Sequence, residues 1–302
     1  MKPIRNRFQP KNEFSWSLSR LSLFNYCQKA YYFHYYASWE GWLDDATTFQ
    51  KHIYRLKQIK TEKEWIDELI LESLAKAIKK EIESNIQSIK SYCFRRAYAE
   101  LTSLQNKEFL KDPKKLSLFS YYYDKESVLS IQNRVSERMN EIFEVLAYHK
   151  LYHLLNKKFL DFVSVNELLK FNLGQIPIWC KPSFIYHEAE EIIIENFRFN
   201  DFRNDLTWPL SSAISLMFCL RTLLRQNKKL QPKTIFIYSK NLLPVYATLN
   251  ITETAEIILN SAQLMLSRLT TEGEAVDINF PACSKKEKCR ECNFKEACAA
   301  GS

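Results

Sequence analysis

The sequence predicts an α/β fold: a central mixed sheet flanked by helices, with a helical insertion ahead of the sheet and a cysteine cluster module at the C-terminus. Three observations predict it. The hydrophobic period is helical through the first half of the chain, turns to strand-like alternation, and then mixes the two. Only four glycines (Gly41, Gly174, Gly273 and Gly301) occur in 302 residues, where average usage of about 7% would give roughly 21. A glycine-rich phosphate loop and a GxGxxG fingerprint are therefore absent, and collagen-like, linker-rich and disordered classes are excluded. Finally, four of the eight cysteines lie between positions 283 and 298.

Taken in order, residues 15–37 read as one capped, aromatic-rich helix. Residues 62–90 read as a long amphipathic helix, with Trp65, Leu69, Ile70, Leu74, Ile78 and Ile82 at helical spacing. Asp112-Pro113-Lys114-Lys115 is a break, and 125–158 is another long helical stretch. The period then changes: 168–173, 176–186 and 190–199 read as strands, with Gly174-Gln175 as the first turn. Residues 209–226 return to helix, 233–239 and 244–249 read as strands, and 252–269 as a helix. No stretch of about 18 apolar residues predicts a membrane span. The basic, polar opening lacks the apolar core of a secretory signal, so a cytoplasmic protein is expected. Residues 1–60 carry ten Lys/Arg against four Asp/Glu, a surplus that suits a polyanionic partner as well as a solubilising surface.

The tail reads Cys283-x5-Cys289-x2-Cys292-x5-Cys298. In a reducing compartment clustered cysteines point to metal rather than to disulfides, and a polar tail offers free thiols no core. Thiolates suit zinc or an iron–sulfur cluster. Two centres fit: a local zinc site of Cys283, Cys289, Cys292 and Cys298, or a 4Fe-4S cluster held by the last three cysteines and a distant Cys27. Cys93, Cys180 and Cys219 read as core thiols.

Two separated motifs then match one family. Ser17 to Tyr36, with Cys27 at its centre (SxSRLxxFxxCxxxYYFxYY), resembles the opening of RecB-like nucleases of the PD-(D/E)XK superfamily. Cys289, Cys292, Phe294 and Cys298 (CxxCxFxxxC) resemble their closing module. The match is to the iron–sulfur branch, which includes CRISPR-associated RecB-like exonucleases and the AddB helicase–nuclease subunit. The resemblance implies a restriction-endonuclease-like sheet in a single domain over 1–280 (helical part about 15–158, sheet core about 165–270). It also implies that residues 281–302 close onto the N-terminal helix through a 4Fe-4S cluster held by Cys27, Cys289, Cys292 and Cys298, with Cys283 as the alternative ligand.

The resemblance also implies where an active site belongs. The early W-x-G-x-x-x-H motif falls on Trp65 to Leu71, where Asp67 replaces the glycine and Leu71 the histidine. The P-D-hydrophobic motif falls on Pro182-Ser183-Phe184. The D-W-K-T-G strand falls on Glu195-Asn196-Phe197-Arg198-Phe199, so an acid survives at Glu195 while Phe197 replaces the lysine. No glutamine follows between positions 201 and 225. One carboxylate and a serine cannot hold Mg²⁺ or Mn²⁺ as two carboxylates do, and a pseudo-nuclease is expected. A strand shift of two positions would instead recruit Glu188, Glu190, Glu191 or Asp201, with Arg198 for the lysine. Three functions remain open: a nucleic-acid-binding accessory protein, an interaction subunit for a helicase or nuclease that binds no DNA, and a metal-dependent DNA exonuclease with a displaced site. For nucleic acid the candidate contacts are Arg5, Arg7, Arg20 and Lys29, interleaved with nine aromatics from Phe24 to Trp42.

Overall fold

Helix initiation at the N-terminus follows from Ser17, whose side chain accepts the Arg20 N–H at 3.2 Å and caps α1 (Leu18–Tyr26). The expected single helix does not continue. Cys27 adopts an extended backbone (φ −163°, ψ 120°) between α1 and α2 (Gln28–Tyr32), and a π-helical turn, Phe33–Ala37, follows. The computed structural model describes residues 14–148, 155, 161–188, 191–199, 207–223, 229–237, 242–246 and 250–298. They divide between two compact units.

One unit comprises Met1–Lys57, Asn172–Ile178 and Leu259–Ser302. It contains β1 (Trp16–Ser17), α1, α2, the π-helical turn, α3 (Thr48–Lys57) and the cysteine tail. Its core is aromatic. Phe280, fully buried, lies 5.3 Å from Tyr32 and 5.7 Å from Tyr36, ring centre to ring centre. Phe294 lies 5.6 Å from Phe33. The Trp16 indole donates to Ser261 Oγ at 2.8 Å.

The other unit, Gln58–Phe171 and Trp179–Ile258, carries the sheet. The helical stretch expected over 62–90 is two helices, α4 (Glu62–Ile78) and α5 (Ile86–Gln105). Lys80 takes a left-handed backbone (φ 58°) between them, and the Asn85 side chain caps α5 through the Ser88 N–H at 2.8 Å. A capping box of Thr61 and Glu64 starts α4. Short β2 (Ile59–Lys60) pairs in parallel with β3 (Ser117–Leu118), α6 (Phe119–Tyr122) follows, and α7 spans Val128–Tyr148. The expected helix over 149–154 and 156–158 lies outside the described residues.

The strand region is more divided than its hydrophobic pattern suggests. The pattern expected over 176–186 is broken at Pro182, which has no N–H to donate to a ladder. This leaves β6 (Ile176–Cys180) and β7 (Phe184–Glu188) in different sheets. β6 lies between β1 and β5 (Leu169–Leu173). β7 belongs to a five-stranded sheet in the order β10-β9-β8-β7-β4, from β4 (Asp161–Val165), β8 (Glu191–Arg198), β9 (Lys229–Ile237) and β10 (Leu242–Tyr246). β8 and β9 are parallel and the other pairs antiparallel, so the sheet is mixed and the fold is mixed α/β. The parallel pair requires a crossover, which α8 (Thr207–Thr222) supplies before α9 (Ile251–Leu266). One face of the sheet, including Phe184, Ile193 and Phe197, joins a core with α4, α5 and α7; the other, through Ile185, Ile192 and Ile194, packs with Cys219 of α8. Among the described residues no helix is long and apolar enough to cross a membrane.

Candidate metal centre

The break at Cys27 determines what surrounds its sulfur. The Cys27 backbone still accepts the Tyr31 N–H (3.0 Å) and donates to Leu23 O (2.9 Å), so an extended residue is held between two helical segments. The tail runs alongside it. Lys29 N–H donates to Pro281 O at 3.1 Å, Tyr26 Oη donates to Lys288 O at 2.6 Å, and Lys288 Nζ donates back to Tyr26 O at 2.9 Å. Within the tail a short helix, α10 (Lys286–Arg290), positions Cys289 and a following turn positions Cys292.

The result is one pocket lined by Cys27, Cys283, Cys289, Cys292 and Cys298. Cys27 is buried and the four tail cysteines are half-buried. The pocket that they line has a volume of about 20 Å³. Cys283 Sγ stands 4.0 Å from Cys289 Sγ, and the Phe294 N–H donates to Cys292 Sγ at 3.4 Å. Burial pushes the Cys292 thiol up to about 11, with the sulfurs of Cys27, Cys298 and Cys289 adding to it and the Phe294 N–H opposing. Burial likewise pushes Cys283 up to about 11, reinforced by Cys27 and Cys289. The donors are all soft sulfur, the chemistry that zinc or an iron–sulfur cluster takes. Among the described residues no three His, Cys, Asp or Glu side chains are arranged to hold a single metal ion. The five thiols share a pocket without converging on one point.

Cys93, Cys180 and Cys219 are buried away from this pocket, as expected of core thiols, and burial raises each to about 12.

The positions expected to carry nuclease chemistry do meet. Ser183 Oγ accepts the Phe197 N–H at 2.9 Å, and Glu195 lies opposite Phe184 in the β7–β8 ladder. Their surroundings are dry: Ser183 is 5%, Glu195 2% and Phe197 5% exposed. The Phe197 ring packs edge-on against Phe184 at 5.0 Å, and Leu71 joins the same apolar core. Tyr186 Oη donates to Glu195 Oε1 at 2.9 Å, an arrangement the sequence did not reveal; burial and the adjacent Glu195 raise the phenol's pKa. Of the alternative acids, Glu188 and Glu191 face each other at the far end of the hairpin. Glu191 and Glu195 are four positions apart along β8, about 13 Å, too far to share a cation whose ligands stand at 2.0–2.6 Å. Glu190 and Asp201 lie outside the described residues. Arg198 is near enough to Asp67 to oppose the rise that burial imposes on its carboxyl.

The nucleic-acid candidates divide. Arg5 and Arg7 lie outside the described residues. Lys29 is paired with Asp277 at 2.9 Å. Arg20 is 7% exposed, its guanidinium 4.2 Å from the centre of the Tyr35 ring. Within the aromatic band Phe24, Tyr31 and Phe33 are buried, Trp42 is exposed and the other five rings are half-buried.

No family model matches the chain, and no curated protein matches it. Among solved structures, the crystal structure of SSO0001 is 11% identical, with 61% of this chain and 80% of that one covered and a TM-score of 0.31. A likeness at that score carries no argument about fold or function.

Proposed function

We infer that the chain is a RecB-like PD-(D/E)XK protein that has kept a cysteine-held cluster and lost its nuclease chemistry. It acts as a nucleic-acid-binding accessory protein in DNA processing, repair or defence. The observation that carries this reading is the meeting of Cys27 with the tail cysteines around one pocket, in the chain order of the resemblance. Cys27, Cys289, Cys292 and Cys298 would hold a 4Fe-4S cluster, with Cys283 beside them. Such a cluster takes each thiolate on a different iron, so it fits sulfurs spread around a void better than a single ion does. When bound, it supplies a covalent staple between the N-terminal helices and the tail.

The mixed sheet, with Ser183, Glu195 and Phe197 adjacent on its hairpin, supports the same reading of the fold. The chemistry is gone for a physical reason. A lone buried carboxylate bonded to a tyrosine, beside an apolar ring, neither compensates a dication nor orders a water. Loss of metal, lysine and histidine together removes several orders of magnitude in rate.

Anaerobic purification tests the cluster. The expected product is brown, with broad visible absorbance and about four irons per chain; Cys27→Ser is colourless and Cys283→Ser keeps its colour. A colourless protein with one zinc, unaffected by Cys27→Ser, overturns the assignment. Mn²⁺-dependent degradation of single-stranded DNA, abolished by Glu195→Ala, overturns the pseudo-nuclease. A brown protein that binds no DNA points to an interaction subunit.

A further inference from the structure

Arg20 and Lys57 come together from the start of α1 and the end of α3, both over one ring. The Arg20 guanidinium lies 4.2 Å and Lys57 Nζ 5.8 Å from the centre of Tyr35. Arg20 is more than nine-tenths buried, and its Nη1 has no hydrogen-bond partner. Among the described residues neither cation forms an ion pair. Burying one charge without a counter-ion is costly, and placing a like charge beside it adds repulsion. The neighbours register the field: burial and then Arg20 lower the Lys57 pKa. His34, its ring 4.5 Å from Tyr35, is lowered to about 3 by burial, Lys57 and Arg20.

The Phe14 ring lies 5.8 Å from the Arg20 guanidinium, and among the described residues the polar side chains nearby are hydroxyls. Ser17 and Ser19 stand 2.9 Å apart, oxygen to oxygen, and both oppose the rise that burial imposes on the Tyr35 phenol. Solvent reaches the cluster, since Ser19 is exposed and Lys57 and Tyr35 are half-buried. Two cations with no ion pair among the described residues, hydroxyl donors and a capped helix start with no acidic residue in its first turn describe a receptor for an oxyanion.

We propose that Arg20 and Lys57, with the hydroxyls of Ser17, Ser19 and Tyr35, bind one phosphate group. The site stands on the geometry alone; that its source is a nucleic-acid backbone rests on the function inferred above. Arg20 thereby contacts phosphate from beneath, as the fixed half of the site, while Lys57 closes from the solvent side.

The test uses the full chain as purified, with two probes: inorganic pyrophosphate followed by thermal unfolding, and a labelled 20-nucleotide single-stranded DNA followed by anisotropy across a salt series. Lys57→Gln is the main variant, because it removes a half-buried charge without opening the core. Arg20→Lys keeps the charge and loses the planar fork. Pyrophosphate is expected to raise the wild-type unfolding temperature. Lys57→Gln is expected to unfold no lower than wild type without ligand and to lose that rise. It is also expected to bind the DNA about tenfold more weakly, with the salt slope reduced by about 1. If pyrophosphate acts through Lys57 but wild type binds no DNA, the phosphate site stands and the nucleic-acid reading falls. If wild type binds DNA and both variants match it in affinity and slope, with no pyrophosphate effect, the phosphate site is overturned and the reading survives. Binding of neither probe overturns both.

Discussion

Asp67 stands where the resemblance would put a glycine, and its carboxyl is pushed up to about 6 by burial, against the pull of Lys63, Arg138 and Arg198. An acid that is harder to ionise when folded makes the native state hold its proton longer than the unfolded chain does. Its cost is absent below the unfolded value near 4, grows from there to about 6, and is complete above that. A rise of that size costs the folded state at most about 3 kcal/mol at neutral pH. Asp67→Asn is therefore expected to be more stable than wild type at pH 7 and equal to it at pH 4, as read by urea unfolding; equal stability at both pH values would contradict the assignment. Legibility at this scale varied by residue. The resemblance put Ser183, Glu195 and Phe197 on two neighbouring segments, and these residues are neighbours at the β7–β8 hairpin. The Tyr186–Glu195 hydrogen bond could not, because Tyr186 faces Ile193 and reaches Glu195 diagonally, a relation that exists only once strand register is set. The cation pair on Tyr35 was hidden for a similar reason: 37 positions separate Arg20 from Lys57.

Among elements, hydrophobic period located the helices and most of the long strands but not their interruptions. The helix over 62–90 is divided by Lys80 and Asn85, and the strand over 176–186 by Pro182; none of these changes the apolar spacing, so period alone reads through them. Cys27 is the instructive case, since a thiol gives no sequence signal for an extended residue between helices. Gly41 shows the reverse, a small residue whose necessity the structure explains. A Cβ there would lie 2.4 Å from Gln50 O and 2.5 Å from Tyr54 Cβ, against the backbone of α3. Gly41→Ala is expected to destabilise by about 1–3 kcal/mol, measured by urea denaturation. A loss under half a kcal/mol would mean that the segment before α3 moves aside cheaply.

For the molecule as a whole, division into two units has a measurable consequence. All five pocket cysteines belong to one unit, and the β7–β8 hairpin with Glu195 belongs to the other. Calorimetry of the iron-loaded protein is expected to show two transitions. Chelation, or Cys27→Ser, should lower the one belonging to the cysteine unit and leave the other in place, since a ligand stabilises only what it binds. A single transition that shifts as one would show that the units unfold together. The cysteine unit also joins segments far apart in the chain: the rings of Tyr31, Tyr32 and Phe33 pack on Phe280 and Phe294. On a ribosome adding 5–20 residues per second, Cys298 follows Cys27 by about 15–55 s. Through that interval the first helices have neither their apolar lid nor their sulfur partners. A nascent chain of this protein therefore carries a bare thiol amid aromatic rings until the segment from Phe280 to Cys298 has been made, a natural demand for a chaperone at the exit tunnel through that interval.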